Sequence, residues 1–125
     1  MGKITRNVTV AAFVAGAVLA TGTTAQAGQV SAQQSNYQGC NLGYVCLYSY
    51  AGWNGGSPEH RYYDYGVYKL YDEYGVHRWF NNQTGGATTR LCINSDGTNC
   101  TSKLSSWAYW DIDLTPYNSI RLDPS

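Results

Sequence analysis

Residues 44–58 read Tyr-Val-Cys-Leu-Tyr-Ser-Tyr-Ala-Gly-Trp-Asn-Gly-Gly-Ser-Pro, and this stretch decides the fold class. Its first half, residues 44–50, is rich in the aromatic and β-branched side chains that favour a strand. Its second half, residues 51–58, concentrates Gly, Asn, Ser and Pro, which punctuate turns. The stretch therefore predicts a short strand that runs into a tight, glycine-rich loop.

The same composition continues along the chain, because all twelve Tyr and all four Trp lie after residue 27. Tyr65, Tyr68, Tyr71 and Tyr74 recur at every third residue, which favours a short helical turn or an extended loop over a strand. The alternation of apolar runs and turn residues elsewhere predicts an all-β sandwich or compact barrel. Further strands are predicted at residues 60–65, 76–81, 88–94, 107–111 and 118–122.

The beginning of the chain has the features of an export signal. Lys3 and Arg6 give a positive start, residues 8–20 are apolar, and Ala-Gln-Ala at 25–27 supplies a cleavage site. The apolar run is shorter than the ~18 residues that a membrane anchor needs. We therefore predict a signal peptide at residues 1–27, a secreted, extracellular protein, and no membrane association after processing.

The remaining chain, residues 28–125, carries six Lys or Arg against eight Asp or Glu, a net charge of about −2. It has neither a basic stripe nor an acidic block, so nucleic acid is not an expected partner. Residues 28–38 are polar and lack apolar periodicity, which predicts a flexible N-terminal arm. The length of residues 39–125 suits one domain, which we expect to be monomeric.

Four cysteines, Cys40, Cys46, Cys92 and Cys100, favour disulfides in an exported chain, because such compartments are oxidising. Their spacing does not match the Cys-x-x-Cys pattern of structural zinc sites. Three connectivities are open to four cysteines. The local pairs, Cys40 with Cys46 and Cys92 with Cys100, are favoured because each brackets turn residues that bring the chain back on itself.

Three positions of the opening stretch form a recognisable signature: Tyr48, then Gly55 seven residues later, with Trp53 two residues before that glycine. This pattern resembles the repeat signature of the βγ-crystallins. The resemblance implies a Greek-key sandwich with a folded-over hairpin, in which the glycine adopts a backbone conformation that a Cβ would obstruct. The second half of the chain departs from the pattern, because no aromatic residue lies seven positions before a glycine between Cys92 and Trp107.

With its export signal and cysteine placement, the chain is similar to the secreted actinobacterial family typified by the Streptomyces metalloproteinase inhibitor. That resemblance implies a rigid loop offered to an extracellular metalloprotease of the thermolysin type. It further implies that Cys92 and Ile93 flank the reactive bond, with Asn94 and Asp96 as loop supports. Ile93 is the only apolar residue between the two cysteines of the loop, and such proteases prefer a large apolar side chain just after the cleaved bond.

Other interpretations of these features remain open at this stage. Ile93 could continue the alternation of Leu91 as an inward-facing strand residue in an ordinary hairpin. The tyrosine-rich segment, residues 62–74, could bind glycans or a cell surface by stacking on sugar rings, or it could fill the core. A toxin directed at competitors is a third alternative, which no particular residue favours.

Neither a metal site nor a cofactor is predicted. The positions that could form crystallin-type calcium sites hold His77 and Arg78 before Phe80, and Pro116 before Ile120, where oxygen ligands are required.

No catalytic site is predicted either, and we expect a protein that is not an enzyme. Asp111 and Asp113 alternate on one predicted strand, where a solvated strand face is the simplest interpretation. The sequence has no Gly-x-Ser-x-Gly nucleophile motif. The remaining acidic and imidazole side chains that a catalytic site could use are Glu59, His60, Asp64, Asp72, Glu73 and His77.

Overall fold

The computed structural model describes residues 28–29 and 35–125, so the predicted signal peptide at 1–27 lies outside the described residues. The described part contains strands, one short 3-10 turn at Asn54–Gly56 and no α-helix, which confirms the all-β prediction. It contains no helix long and apolar enough to cross a membrane. The strands are β1 (Gly28–Gln29), β2 (Val45–Tyr48), β3 (His60–Tyr62), β4 (Gly66–Lys69), β5 (Val76–Asn81), β6 (Thr88–Cys92), β7 (Ala108–Asp113) and β8 (Ser119–Asp123).

These strands form two antiparallel sheets, one in the order β1-β7-β5-β2-β3 and the other in the order β4-β8-β6. Strand β4 joins the smaller sheet although β3 and β5, its neighbours along the chain, lie in the larger one. Strand β7 joins the larger sheet although β6 and β8 lie in the smaller one. The two halves of the chain therefore exchange one strand each. The Greek-key connectivity stays a prediction.

The main core lies between the two sheets, because both contribute buried apolar side chains to one cluster. From β2, Val45 and Leu47 point into this space, as the two-residue period of a strand requires. Tyr62 and Tyr68 pack against its margin. The fully enclosed members are Val45, Leu47, Trp79, Leu91, Leu114, Ile120 and Leu122.

A second, aromatic cluster covers the opposite face of the larger sheet. Cys46 and Tyr48, the alternate residues of β2, are fully buried there together with Phe80 of β5. The Trp53 ring packs edge-on against Tyr48 and Phe80, with ring centroids 5.3 and 5.1 Å apart. Tyr37 packs edge-on against the same indole at 5.3 Å. Strand β2 is thus buried on both faces, which explains why residues 44–50 lack a polar, outward-facing alternation.

The glycine-rich loop folds back over this face and is fixed from both sides. Gly55 has φ = 64°, a left-handed conformation that favours glycine, as the signature implies. The Arg78 guanidinium lies over the rings of Trp53 and Tyr109, at 4.6 and 4.2 Å from their centroids. Asp111 binds Arg78 in a two-pronged ion pair at 2.7 and 2.9 Å, and this hydrogen bonding raises the pKa of Arg78.

Both local disulfides are present, Cys40–Cys46 and Cys92–Cys100, as the sequence analysis favours. The first lies in the aromatic cluster and ties the segment before β2 to β2 itself. The second closes the loop that follows β6.

The helical turn or loop expected around residues 65–74 is partly wrong, because residues 66–69 form strand β4. Only Tyr68 of this strand packs on the core, so the side chains of the strand do not alternate between apolar and polar. Pairing with β8, 50 residues further along the chain, makes this segment a strand.

Fixed contacts also begin before Gly39, inside the predicted arm. Strand β1 pairs with β7, and Tyr37 belongs to the aromatic cluster. The Tyr48 hydroxyl donates a hydrogen bond to the Gln38 carbonyl at 2.7 Å. A single aromatic residue in a polar segment gives no periodic signal, so the sequence could not indicate this anchoring.

The aromatic cluster makes a clear prediction about stability. Trp53→Ala removes a ring that contacts several others and lies under Arg78, and should lower the free energy of unfolding by about 3 kcal/mol. Tyr50→Ala, at an exposed position of the same loop, should change it by less than about 0.5 kcal/mol. Urea denaturation of both variants measures the difference, and equal effects would show that the indole does not hold the loop.

Candidate functional site

The loop between Cys92 and Cys100 is a short, closed hairpin. The Ile93 N–H donates to the Asn99 carbonyl at 2.9 Å, and the Asn94 N–H donates to the Thr98 carbonyl at 3.2 Å. The disulfide and a β-bridge between Cys92 and Cys100 close its base. The loop is therefore held across its width by backbone hydrogen bonds as well as by the covalent link.

Ile93 lies on the surface of this hairpin, with 43 % of its area exposed. Strand β6 ends at Cys92, where the chain turns into the hairpin, so the strand alternation that buries Leu91 stops. The alternative that Ile93 is an inward strand residue is therefore wrong. The loop presents a large apolar side chain to solvent.

The residue just before β8 holds the carbonyl of the Cys92–Ile93 peptide bond and the carbonyl that follows it. The Asn118 N–H donates to the Cys92 carbonyl at 2.9 Å, and the Asn118 Nδ2 donates to the Ile93 carbonyl, also at 2.9 Å. The Ser119 hydroxyl donates to the next carbonyl, that of Asn94, at 2.5 Å. Sequence reasoning missed Asn118 in this role, because 25 residues separate it from Ile93 and no motif joins them.

The two predicted loop supports, Asn94 and Asp96, both contact Thr98. The Asn94 Nδ2 donates to the Thr98 hydroxyl at 2.8 Å. Asp96 Oδ1 accepts from the Thr98 N–H at 3.2 Å and from its hydroxyl at 2.6 Å. The only carboxylate of the loop is thus turned toward the loop itself.

The tip of the hairpin docks on the smaller sheet. A Cβ at Gly97, where φ is 82°, would lie 2.6 Å from Val67 Cγ2 of β4, so only glycine fits this approach. The Arg121 guanidinium of β8 donates to the Gly97 carbonyl at 2.9 Å. Arg121 is itself paired with Asp123 at 2.9 Å, which raises its pKa. The loop is braced at its base, along its side and at its tip.

The tyrosine-rich segment divides between core and surface. Tyr62 and Tyr68 pack on each other, with their ring centroids 4.8 Å apart, and both rings pack against the core. The pKa of the Tyr62 hydroxyl is raised, mainly because the hydroxyl is buried. The nearby carboxylates of Glu73 and Glu59 raise it further. The exposed members are Tyr63, Tyr65, Tyr71 and Tyr74.

Asp111 and Asp113, which were predicted to lie on a solvated strand face, are exposed on β7. Each of their carboxylates has a local partner. Asp111 is bound by Arg78, and Asp113 accepts from the Thr115 N–H at 2.9 Å. Hydrogen bonds from Thr115 lower the pKa of Asp113.

Four other titratable side chains that the sequence separates by up to 18 positions lie together in the structure: Glu59, His60, Glu73 and His77. Among the described residues, Glu59, His60 and Glu73 are grouped closely enough to hold a metal ion. From the sequence all four were named among the side chains that a catalytic site could use, but no metal site was predicted, because no regular spacing joins them.

The bracing by Asn118 can be tested through hydrogen exchange. Asn118→Ala keeps the backbone donor but removes the Nδ2 that holds the Ile93 carbonyl, a bond that contributes about 1 kcal/mol. The Ile93 and Asn94 amides should exchange about fivefold faster, with the amides of β5 unchanged. Ser95→Ala in the same loop is the control, and exchange equal to that of this control would show that the side chain of Asn118 does not brace the loop.

Comparisons with known proteins place the chain in no family. No protein-family model, no curated protein and no solved structure matches it. The resemblance to the βγ-crystallins and to the secreted inhibitors therefore depends on the signature Tyr48, Trp53 and Gly55, on the placement of the cysteines and on the predicted export signal.

Proposed function

We propose that the protein is a secreted inhibitor of an extracellular metalloprotease, and that the hairpin between Cys92 and Cys100 is its reactive loop. One observation carries the proposal: Ile93 is exposed, while Asn118 holds the carbonyl of the bond that precedes it and the carbonyl of Ile93 itself. An apolar side chain on a rigid support is what a protease with an apolar pocket after the cleaved bond would bind.

The rigidity of the loop favours binding. Inserting an isoleucine side chain into an apolar pocket contributes ~1.5–3 kcal/mol. A flexible loop would lose part of that gain when its residues become ordered in the complex. Here the hairpin bonds, the disulfide and the contacts from β8 order the loop in advance. The carboxylate of Asp96 contacts Thr98, so it is not free to oppose the entry of Ile93 into an apolar pocket.

The same contacts explain how cleavage would fail to release the inhibitor. Hydrolysis of the Cys92–Ile93 bond adds water and yields a carboxylate on Cys92 and an amine on Ile93. The Cys92 end stays in β6 and on the disulfide, while the Ile93 end stays on Asn99 and Asn118. Because both ends remain in place, the reverse condensation competes with product release.

Secretion and the crystallin-like relationship belong to the same proposal. Two intramolecular disulfides are typical of proteins in an oxidising, extracellular compartment. The packing of Tyr48 on Trp53 and the left-handed Gly55 support the folded-over hairpin that the resemblance implies.

Glycan binding is a second candidate function, favoured by one observation. Tyr63, Tyr65, Tyr71 and Tyr74 are exposed within a segment of twelve residues, and such rings can stack on sugars. Sedimentation with chitin, cellulose and peptidoglycan tests it. Retention on one polymer that Tyr71→Ala and Tyr74→Ala abolish would support this function, and no retention would exclude these polymers as ligands.

Inhibition should depend on the Ile93 side chain. Ile93→Ser should weaken inhibition of a thermolysin-like protease at least tenfold, because about 1.5–3 kcal/mol of apolar burial is lost. Val76→Ser is the matched control, since Val76 is a branched apolar residue exposed to a similar extent, 47 %. Inhibition constants of the purified variants measure the effect, and unfolding by urea checks that both remain folded.

Two results would contradict the proposal. One is the absence of inhibition across secreted metallo-, serine and cysteine proteases. The other is inhibition that Ile93→Ser and Val76→Ser weaken equally, which would place the contact surface elsewhere.

A further inference from the structure

A second cluster of reactive side chains lies at the edge of the larger sheet, and the proposed inhibitory loop does not use it. Glu59 precedes β3, His60 begins β3, Glu73 lies in the connection from β4 to β5, and His77 lies in β5. His60 Nε2 is 2.7 Å from Glu73 Oε2 and 3.6 Å from Glu59 Oε2. His77 Nε2 is 3.0 Å from Glu73 Oε1 and 3.3 Å from Glu59 Oε1. Each carboxylate therefore offers one oxygen to each imidazole.

The burial of this cluster makes its charge important. The side chains of Glu73 and His77 are each only 6 % exposed. A buried carboxylate is costly unless a positive group accompanies it. Within 4.0 Å of the Glu73 carboxylate, the only described basic groups are the two imidazoles.

The hydrogen bonds of His77 fix the orientation of its ring. Its Nδ1 lies 2.9 Å from the Gly75 carbonyl, which can only accept, so Nδ1 carries a proton. This contact turns Nε2 toward one oxygen of each carboxylate, 3.0 Å from Glu73 Oε1 and 3.3 Å from Glu59 Oε1. His77 therefore holds both carboxylates in place.

His60 contacts the other oxygen of each carboxylate. Its Nε2 lies on the same side as the Oε2 atoms of Glu59 and Glu73, at 3.6 and 2.7 Å. One imidazole nitrogen and two carboxylate oxygens are ligand atoms suited to a divalent transition-metal cation.

We propose that Glu59, His60 and Glu73 form a binding site for a divalent transition-metal ion, best matched by Zn²⁺, and that His77 positions the two carboxylates. Their ligand atoms all lie within 4.8 Å of one another. Tetrahedral zinc with bonds of ~2.0–2.1 Å separates its ligands by about 3.3 Å. The observed 2.7 and 3.6 Å from His60 Nε2 to the two oxygens bracket this separation.

The nitrogen ligand decides between classes of ion. Calcium and magnesium prefer shells built of oxygen ligands, whereas imidazole favours zinc, copper, nickel and cobalt. Three protein ligands leave a fourth position for water, as in zinc sites that keep an open coordination position. His60 and Glu73 also line a groove between the edge strands β3 and β4, together with Tyr62 and Tyr68. An ion can reach the site through this groove.

Titration calorimetry with ZnCl₂ on the purified protein tests the site. We expect one Zn²⁺ per chain, a raised melting temperature in zinc, and no binding of Ca²⁺ or Mg²⁺ at the same concentration. Glu73→Gln and His60→Gln should each weaken zinc binding at least tenfold. Asp72→Asn, which changes an exposed acid next to Glu73, is the matched control and should bind as the parent does. His77→Gln should weaken binding by about 10–100-fold, because it removes the group that orients both carboxylates.

A spectroscopic measurement on the parent protein keeps the test independent of how the variants fold. Co²⁺ in a four-coordinate site should give visible absorption bands of high intensity, which Zn²⁺ should abolish by displacement. Absence of these bands, together with no heat from zinc at millimolar concentration, would overturn the proposal and leave His60 as a hydrogen-bond partner of Glu73. Zinc binding that Glu73→Gln and His60→Gln leave unchanged would overturn it as well.

Discussion

The burial of β2 on both faces is the constraint on which the rest of the structure depends. Val45 and Leu47 face the smaller sheet, while Cys46 and Tyr48 face the aromatic cluster. A strand in the middle of a sheet has only two faces, and here both need a cover. The smaller sheet provides one, and the folded-over loop with Trp53 provides the other. The glycines of that loop let it fold back over the sheet, and the Cys40–Cys46 disulfide ties the segment before β2 to the same face.

The exchange of strands between the sheets has a consequence for the reactive loop. Because β4 crosses to the smaller sheet, Val67 lies where the tip of the hairpin after β6 can dock, against Gly97. Because β8 lies between β4 and β6, Asn118 just before it and Ser119 at its start reach the base of the same hairpin. The loop is therefore supported by strands from both halves of the chain. A disulfide alone would close the hairpin, but it would not fix the direction in which Ile93 points.

The sequence predicted the features that arise from neighbouring residues. Strand β5 was predicted at its observed bounds, and the local disulfides and the turn at Gly55 followed from spacing and turn chemistry. It failed where pairing between distant segments decides the outcome. Strand β4 is a strand because β8 lies beside it, and Tyr37 is anchored because the aromatic cluster leaves room for its ring. Asn118 supports the loop from 25 residues away, and no pattern of residues in either segment indicates this.

The four residues of the His and Glu cluster also come together only through pairing between distant segments, so the sequence did not predict the cluster. The β3 strand fixes His60, and the pairing of β2 with β5 brings His77 close to it. The Glu59 N–H donates to the Leu47 carbonyl at 2.7 Å, so even the position of Glu59 depends on β2. Strand β2, which is buried on both faces, thus also brings the residues of the cluster together. An apolar pair of similar volume would fill that place at lower electrostatic cost than a buried carboxylate beside an imidazole. A bound metal ion, as proposed above, would offset this cost.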